Sequence, residues 1–465
     1  MEEAMTRIPH LTRRGFIRAG AATATCFCLS PMMDPLNLRA ARKVNPRGSA
    51  DYCIFLFLDG GPSQIDTFDF KEGRYTPADF DVRTVKGGML KLPYALFPRL
   101  SEKLDDLAIV RSVEAWEAGH SRAQYVLQVA HPVSPARRAE MPSLGAVIAY
   151  EMEARRKPGD FLPPFVAMNY NITSGAGLVG AGCLEPKYGP LGFNTQESRH
   201  FLLEDGERER FLRRWNLLSR LEQGHPVSST GSSRPIEEFR SYYGEAHSIM
   251  MAPEVRDVFK LETEERKRYG SSALGDACIL GRNLIAAEAG TRYVFITHDG
   301  WDLHAKAYDK TSTPNQYTLG RELDAAFASL LTDLSRLRTK DGEALLDRTL
   351  IVCMGEFGRT VGDLTVNKGR DHHRFASTSL FAGGGVQGGR IIGATDPTGG
   401  KVVDSGWSQK RSIYIEDIAA TMYSALGIDW SKKITNTPSG RDFEYLEPVS
   451  GTTFLKVDEI SPLFV

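Results

Sequence analysis

The 465 residues suffice for one large elaborated α/β domain or for two domains, and are far too many for a small disulfide-stapled scaffold. With 42% hydrophobic and 25% charged residues, 44 Gly and 24 Pro, the chain is globular and rich in turns, which excludes a disordered or fibrous protein. Lys and Arg total 57 against 58 Asp and Glu, so no global field exists to hold nucleic acid or an anionic membrane, and six cysteines form neither a disulfide framework nor a zinc-finger spacing.

The N-terminus differs in character from the rest of the chain. Thr12-Arg13-Arg14-Gly15-Phe16-Ile17-Arg18 places two adjacent arginines before a mild apolar stretch, Ala19 to Pro31. This order predicts a twin-arginine export signal over residues 1–42, and hence a periplasmic or extracellular protein. The stretch is shorter than the about 20 apolar residues needed to span a bilayer. Thr25 before Cys26 makes a poor lipidation site. Removing residues 1–42 takes away six arginines and three acids, so the formal charge moves from −1 to −4 for the remainder, 43–465.

From Asp51 onward, short apolar runs alternate with segments of helical period, the pattern of a mostly parallel sheet sandwiched by helices. Tyr52 to Leu58, Leu107 to Val110, Arg292 to Thr297 and Thr349 to Met354 read as strands covered on both faces. Between the last two, Leu319, Leu323, Phe327, Leu330, Leu331, Leu334 and Leu337 recur at helical spacing and predict a crossover helix joining parallel strands. Further helices are expected at 121–130, 143–156, 205–222, 253–268, 273–289 and 415–426. Residues 223–236 read as a Ser/Gly/Pro linker or flexible loop, and the region of about 160–270 as an insertion or cap between two halves of one sheet.

In such a sheet, the segments after the strands converge on one edge and build ligand sites there. After the first strand comes Asp59-Gly60-Gly61; after the third, His298-Asp299-Gly300-Trp301-Asp302-Leu303-His304; after the fourth, Gly355-Glu356-Phe357-Gly358-Arg359, and then Arg370-Asp371-His372-His373. Asp59, Asp302, His304, Glu356, Asp371, His372 and His373 therefore form a candidate ligand pool for a divalent cation. Mixed imidazole and carboxylate donors suit zinc, or manganese with more oxygen, whereas carboxylates alone suit calcium or magnesium, so the metal stays open. Arg359 and Arg370 lie in the same loops and offer guanidinium forks for an anionic oxygen. No P-loop or dinucleotide fingerprint surrounds Gly60-Gly61.

The ordered set of motifs "LFLDGGPSQIDTFDFK" (56–71), "VRSVEAWEAGHSRAQYVLQVAHP" (110–132), "LPPFVAMN" (162–169), "HDGWDLHA" (298–305), "MGEFGRT" (354–360), "GRDHH" (369–373) and "PSGRDF" (438–443) resembles the domain-of-unknown-function 1501 family, exported and sulfatase-like. That family is similar in turn to the alkaline phosphatase superfamily. The resemblance implies an alkaline-phosphatase-like α/β fold and a metal-dependent hydrolase acting on phosphate or sulfate esters of a small molecule or glycan. It implies Asp59 as the first metal carboxylate, Asp302 and His304 as a middle-loop pair, Glu356 at a strand-end ligand position where Phe357 replaces a histidine, and His372 or His373 as the late ligand. It also puts Ala118 at the place of the sulfatase cysteine, which excludes formylglycine chemistry. His120 would then protonate a leaving group, and Ser121 is either the nucleophile or the cap of its helix, with Ser63 a lesser candidate. The alternative is a catalytically degenerate member that binds a glycan or a protein.

Overall fold

Successive side chains of a strand point to opposite faces, so a strand covered on both sides must be apolar at every position. Strand β1 (Tyr52–Leu58) meets that demand and is buried throughout. Its Ile54 and Leu56 belong to one apolar cluster with Leu280, Leu323 and Phe327, while Phe55 and Phe57 belong to another with Val126, Val147 and Ile418. Each fully buried side chain of this size contributes about 1.5–3 kcal/mol. The computed structural model describes residues 44–170, 176–224, 234–447 and 455–464, so the expected export signal and Cys26 lie outside the described residues.

The remaining strands of the central sheet are β2 (Leu107–Val113), β3 (Phe165–Met168), β4 (Leu191–Phe193), β5 (Tyr293–His298), β6 (Thr349–Met354), β7 (Ser377–Ala382) and β8 (Arg390–Ile392). Their order is β8-β2-β7-β6-β1-β5-β3-β4. Only β7 runs antiparallel to its neighbours. The principal helices are α1 (His120–Val129), α2 (Leu144–Glu151), α3 (Asp205–Gly224), α4 (Arg234–Met251), α5 (Ala273–Ala286), α6 (Gln316–Arg336) and α7 (Ile415–Ala425). The sheet is thus mostly parallel and sandwiched by helices. Helix α6 is the crossover between β5 and β6, the two strands flanking β1.

Several boundaries differ from the sequence reading. Strand β2 continues past Val110 to Val113 because Ser112 and Val113 are also buried. The helix expected over 253–268 is two short ones, Val255–Phe259 and Thr263–Arg268. Phe165–Met168 and Leu191–Phe193, inside the segment expected as an insertion, are strands of the same sheet. Of the expected linker 223–236, residues 225–233 lie outside the described residues, and α3 and α4 run up to it from either side. Among the described residues, no helix is long and apolar enough to cross a membrane.

Candidate metal centre

Three strands of the sheet centre deliver the site. The turn after β1 carries Asp59, the loop after β5 carries Asp302 and His304, and the turn after β6 carries Glu356. These loops touch because of two glycines in left-handed conformations. A Cβ on Gly60 (φ +112°) would stand 2.2 Å from the Asp302 nitrogen, and one on Gly61 (φ +68°) 2.8 Å from the Phe357 ring. Gly358–Arg359 pairs antiparallel with His372–His373, His372 opposite Arg359. Neighbouring residues of such a ribbon face opposite ways. His372 accordingly joins the rim cluster, whereas His373 Nε2 donates to the Gly400 carbonyl at 2.8 Å.

Among the described residues, His120, Asp302, His304 and His372 each bring one ligand atom to within 4.8 Å of all the others. Asp302 Oδ1 lies 3.1 Å from His120 Nε2, 3.1 Å from His304 Nε2 and 3.8 Å from His372 Nε2. The two imidazole nitrogens His304 Nε2 and His372 Nε2 are 2.8 Å apart. The other nitrogen of each ring faces an acceptor: His120 Nδ1 meets Glu356 Oε1 at 2.6 Å, His304 Nδ1 meets Asp371 Oδ1 at 3.1 Å, and His372 Nδ1 donates to the Ala118 carbonyl at 2.6 Å. Protons assigned to the Nδ1 atoms of His304 and His372 leave their Nε2 lone pairs turned toward one another, while His120, with a carboxylate beside each ring nitrogen, is held as the cation. Two such lone pairs at 2.8 Å repel unless a positive charge lies between or beside them. His120 Nε2 is buried and, although near Asp302, makes no hydrogen bond.

The electrostatics supply that charge from two sources. Burial opposes a charged His120, yet the Asp302 and Glu356 carboxylates prevail and raise its pKa to about 9. Burial likewise favours a protonated Asp302, but His120 and Arg359 hold its carboxyl well below the ordinary carboxylate range. Burial, with the Arg359 and His120 cations, lowers His372 and keeps it neutral.

The other members of the sequence pool have different places. Glu356 accepts hydrogen bonds from the Gly60 and Gly61 nitrogens and from His120, so it braces a ring and the turn after β1. Asp59 accepts from Gln124 Nε2 at 2.5 Å, and burial, then Glu356, pushes its pKa up to about 7. Asp371 stands behind His304. Arg359 gives its guanidinium to the carbonyls of Gly60, Gly61 and Arg370 and to Asp302 and His304. Arg370 binds Asp66, Tyr308 and the carbonyls of Thr360 and Gly362. All five N–H groups of each arginine are thereby engaged within the chain, so neither offers a free fork to an anion. Ser121 is exposed and is not the helix cap, because α1 begins at His120 with Gly119 in the capping position. Ser63 is buried with no partner for its hydroxyl.

Two participants have no prominence in the sequence. Gln124 lies one turn beyond His120 on α1, and this i,i+4 spacing is the signal that would have placed it beside Asp59 and Glu356. The ring of Phe357 packs 4.9 Å from His120 and 4.8 Å from His372, so it supports both imidazoles.

Comparison with known proteins gives a family. No curated protein matches the chain significantly. Among solved structures, a protein in the alkaline phosphatase superfamily from Vibrio parahaemolyticus aligns with a TM-score of 0.37 at 11% identity, over 87% of this chain and 72% of that one. The lipoteichoic acid synthase LtaP from Listeria monocytogenes gives 0.36 at 10% identity, over 90% and 81%. The phosphonate monoester hydrolase SpPMH from Silicibacter pomeroyi gives 0.33 at 11%, over 82% and 74%. Likeness at this level carries no argument about chemistry, and the roles of individual residues rest on this chain's own side chains. The model of the family described as "Protein of unknown function (DUF1501)" matches residues 50–453, most of the sequence, and the chain belongs to that family.

Proposed function

We propose that the chain is an exported, metal-dependent hydrolase of phosphate or sulfate esters, with a small-molecule or glycan substrate. The observation that carries this reading is the convergence of four ligand atoms, from α1, the loop after β5 and the ribbon after β6, at the carboxyl edge of the sheet. The residues fit a cation: the Nε2 lone pairs of His304 and His372 face inward, the outer nitrogens are fixed, and His120 Nε2, left without a hydrogen bond, would offer its own lone pair once it gives up its proton. A bound cation would supply Lewis-acid polarisation of the ester oxygen. Export is supported by Arg13-Arg14 and the apolar stretch after it.

The chain's own groups set the rest. Glu356 and Asp371 orient His120 and His304, and Arg359 locks Asp302 against the turn after β1. Ala118 offers no nucleophile from its side chain, and its carbonyl is committed to His372. Ser121, exposed and adjacent to His120, is the hydroxyl best placed along the chain to serve as one. The rival reading, a degenerate member that binds a glycan or a protein, draws on that same missing group at 118 and on Phe357.

The test is a panel of phosphate mono- and diesters and aryl and glycan sulfates, applied to the metal-loaded protein and to Asp302→Ala. We expect turnover of at least one ester class and a loss of about a thousandfold in the variant, the several kcal/mol that metal polarisation contributes. A fully loaded protein inert on every ester would end the hydrolase reading in favour of the binding module.

A further inference from the structure

We infer that the centre holds a single ion of the zinc class, bound by Nε2 of His120, His304 and His372 and by Oδ1 of Asp302, with Asp59 and Glu356 outside the ligand set. This rests on the metal-centre part of the proposed function and goes further by fixing donors, number and class of ion.

Donor chemistry comes first. Three imidazoles and one carboxylate oxygen match a borderline divalent ion, whereas calcium takes six to eight oxygens and magnesium keeps mostly oxygen and water. Only one carboxylate oxygen enters the four-atom group.

Dimensions agree. A tetrahedral ion with bonds of about 2.0–2.1 Å has ligand atoms about 3.3 Å apart. Four of the six separations, 2.8, 3.1, 3.1 and 3.8 Å, lie on both sides of that value, and all six stay within 4.8 Å. Small shifts of side chains already in place would admit the ion.

The outer contacts agree as well. A zinc-ligating histidine commonly gives its second nitrogen to a carboxylate or a backbone carbonyl, which fixes the ring and its tautomer. Glu356, Asp371 and the Ala118 carbonyl do this for the three rings. Charge balances too, since ligation would take the proton from His120 and leave Asp302, Glu356 and Asp371, in direct contact with the cluster, opposed by Arg359 alone, two negative charges for a divalent ion to neutralise.

Asp59 and Glu356 fall outside the four converging ligand atoms and serve other partners. Glu356 takes two backbone N–H groups and the His120 ring, and Asp59 takes the Gln124 amide. Glu356 is thus a positioning residue.

The experiment uses the full chain, stripped with a chelator and reloaded separately with zinc, cobalt, manganese, calcium and magnesium. Readouts are elemental stoichiometry, thermal shift and the visible spectrum of the cobalt form. We expect one zinc or cobalt per chain and an intense tetrahedral cobalt spectrum. His372→Ala and Asp302→Ala should lose the ion, Asp59→Asn should keep it, and Glu356→Gln should bind it about 10–100-fold more weakly. Thermal unfolding of each chelated variant beside the chelated parent separates loss of the ion from loss of the fold. Stoichiometric calcium or magnesium in place of zinc, two ions per chain, or loss of the ion in Asp59→Asn would overturn the inference. A one-zinc protein that hydrolyses no ester leaves the ligand set standing and removes the hydrolase reading; ester hydrolysis supported by calcium alone does the reverse.

Discussion

The rim of the sheet and the paired helices α3 and α4 are built on opposite terms. At the rim the arginines are buried and fully engaged: Arg359 and Arg370 are each 2% exposed and spend every donor on the chain. On α3 and α4 several apolar groups face outward, with Leu217 58%, Leu221 56% and Phe239 49% exposed, while Glu245 keeps a buried oxygen without a hydrogen bond. Precision at the rim comes from polar atoms held by backbone, and this makes it costly to disturb. The described part of the helix pair is braced more sparsely, with Arg208 of α3 donating to the Met251 carbonyl of α4, and should tolerate change.

The largest effect should come from cutting a brace. Arg370→Met strands the Asp66 carboxylate, 3% exposed, without its guanidinium. Unfolding in urea should show a loss of about 3–5 kcal/mol, as for other broken buried pairs. A loss below about 1 kcal/mol would mean that the rim is not held in this way.

Next comes a gain, on the helix pair. Burial, with Arg156 opposing, raises Glu245 from 4.5 to about 7. The folded state therefore binds this proton more tightly than the unfolded chain does, and stability drains away as pH climbs from about 4.5 to about 7. Glu245→Gln removes the ionisable group. Its unfolding free energy should exceed the parent's by about 1–3 kcal/mol at about pH 8, with the advantage gone at about pH 4. Equal gains at both pH values would refute the cause given.

Smallest should be Leu217→Ala and Leu221→Ala. Both side chains are more than half exposed, so each change should stay within about 0.5 kcal/mol and leave metal content untouched. A larger loss, seen in the same urea unfolding, would show that the pair is packed as tightly as the rim.

Legibility in the sequence divides along the same line. Tyr52–Leu58 is legible as a doubly covered strand because every position is apolar, and α6 because its leucines hold one face. Phe165–Met168, Leu191–Phe193 and Arg390–Ile392 are not, since three or four residues carry no usable period. Asp302 and His304 stand out as chemistry placed just after a strand. His120 reads as an acid because nothing near it in sequence reveals three partners 182 or more residues away. The two arginines read as anion forks because a sequence does not show that backbone carbonyls consume their donors.

His120 and His372 are 252 positions apart, and Asp302 sits between them in the order of synthesis. No fragment emerging during translation holds all four groups, so the proposed ion would be captured only after collapse. With the export proposed above, it would then be chosen by the compartment in which the chain folds rather than the one to which it is sent, and its identity would record where folding took place.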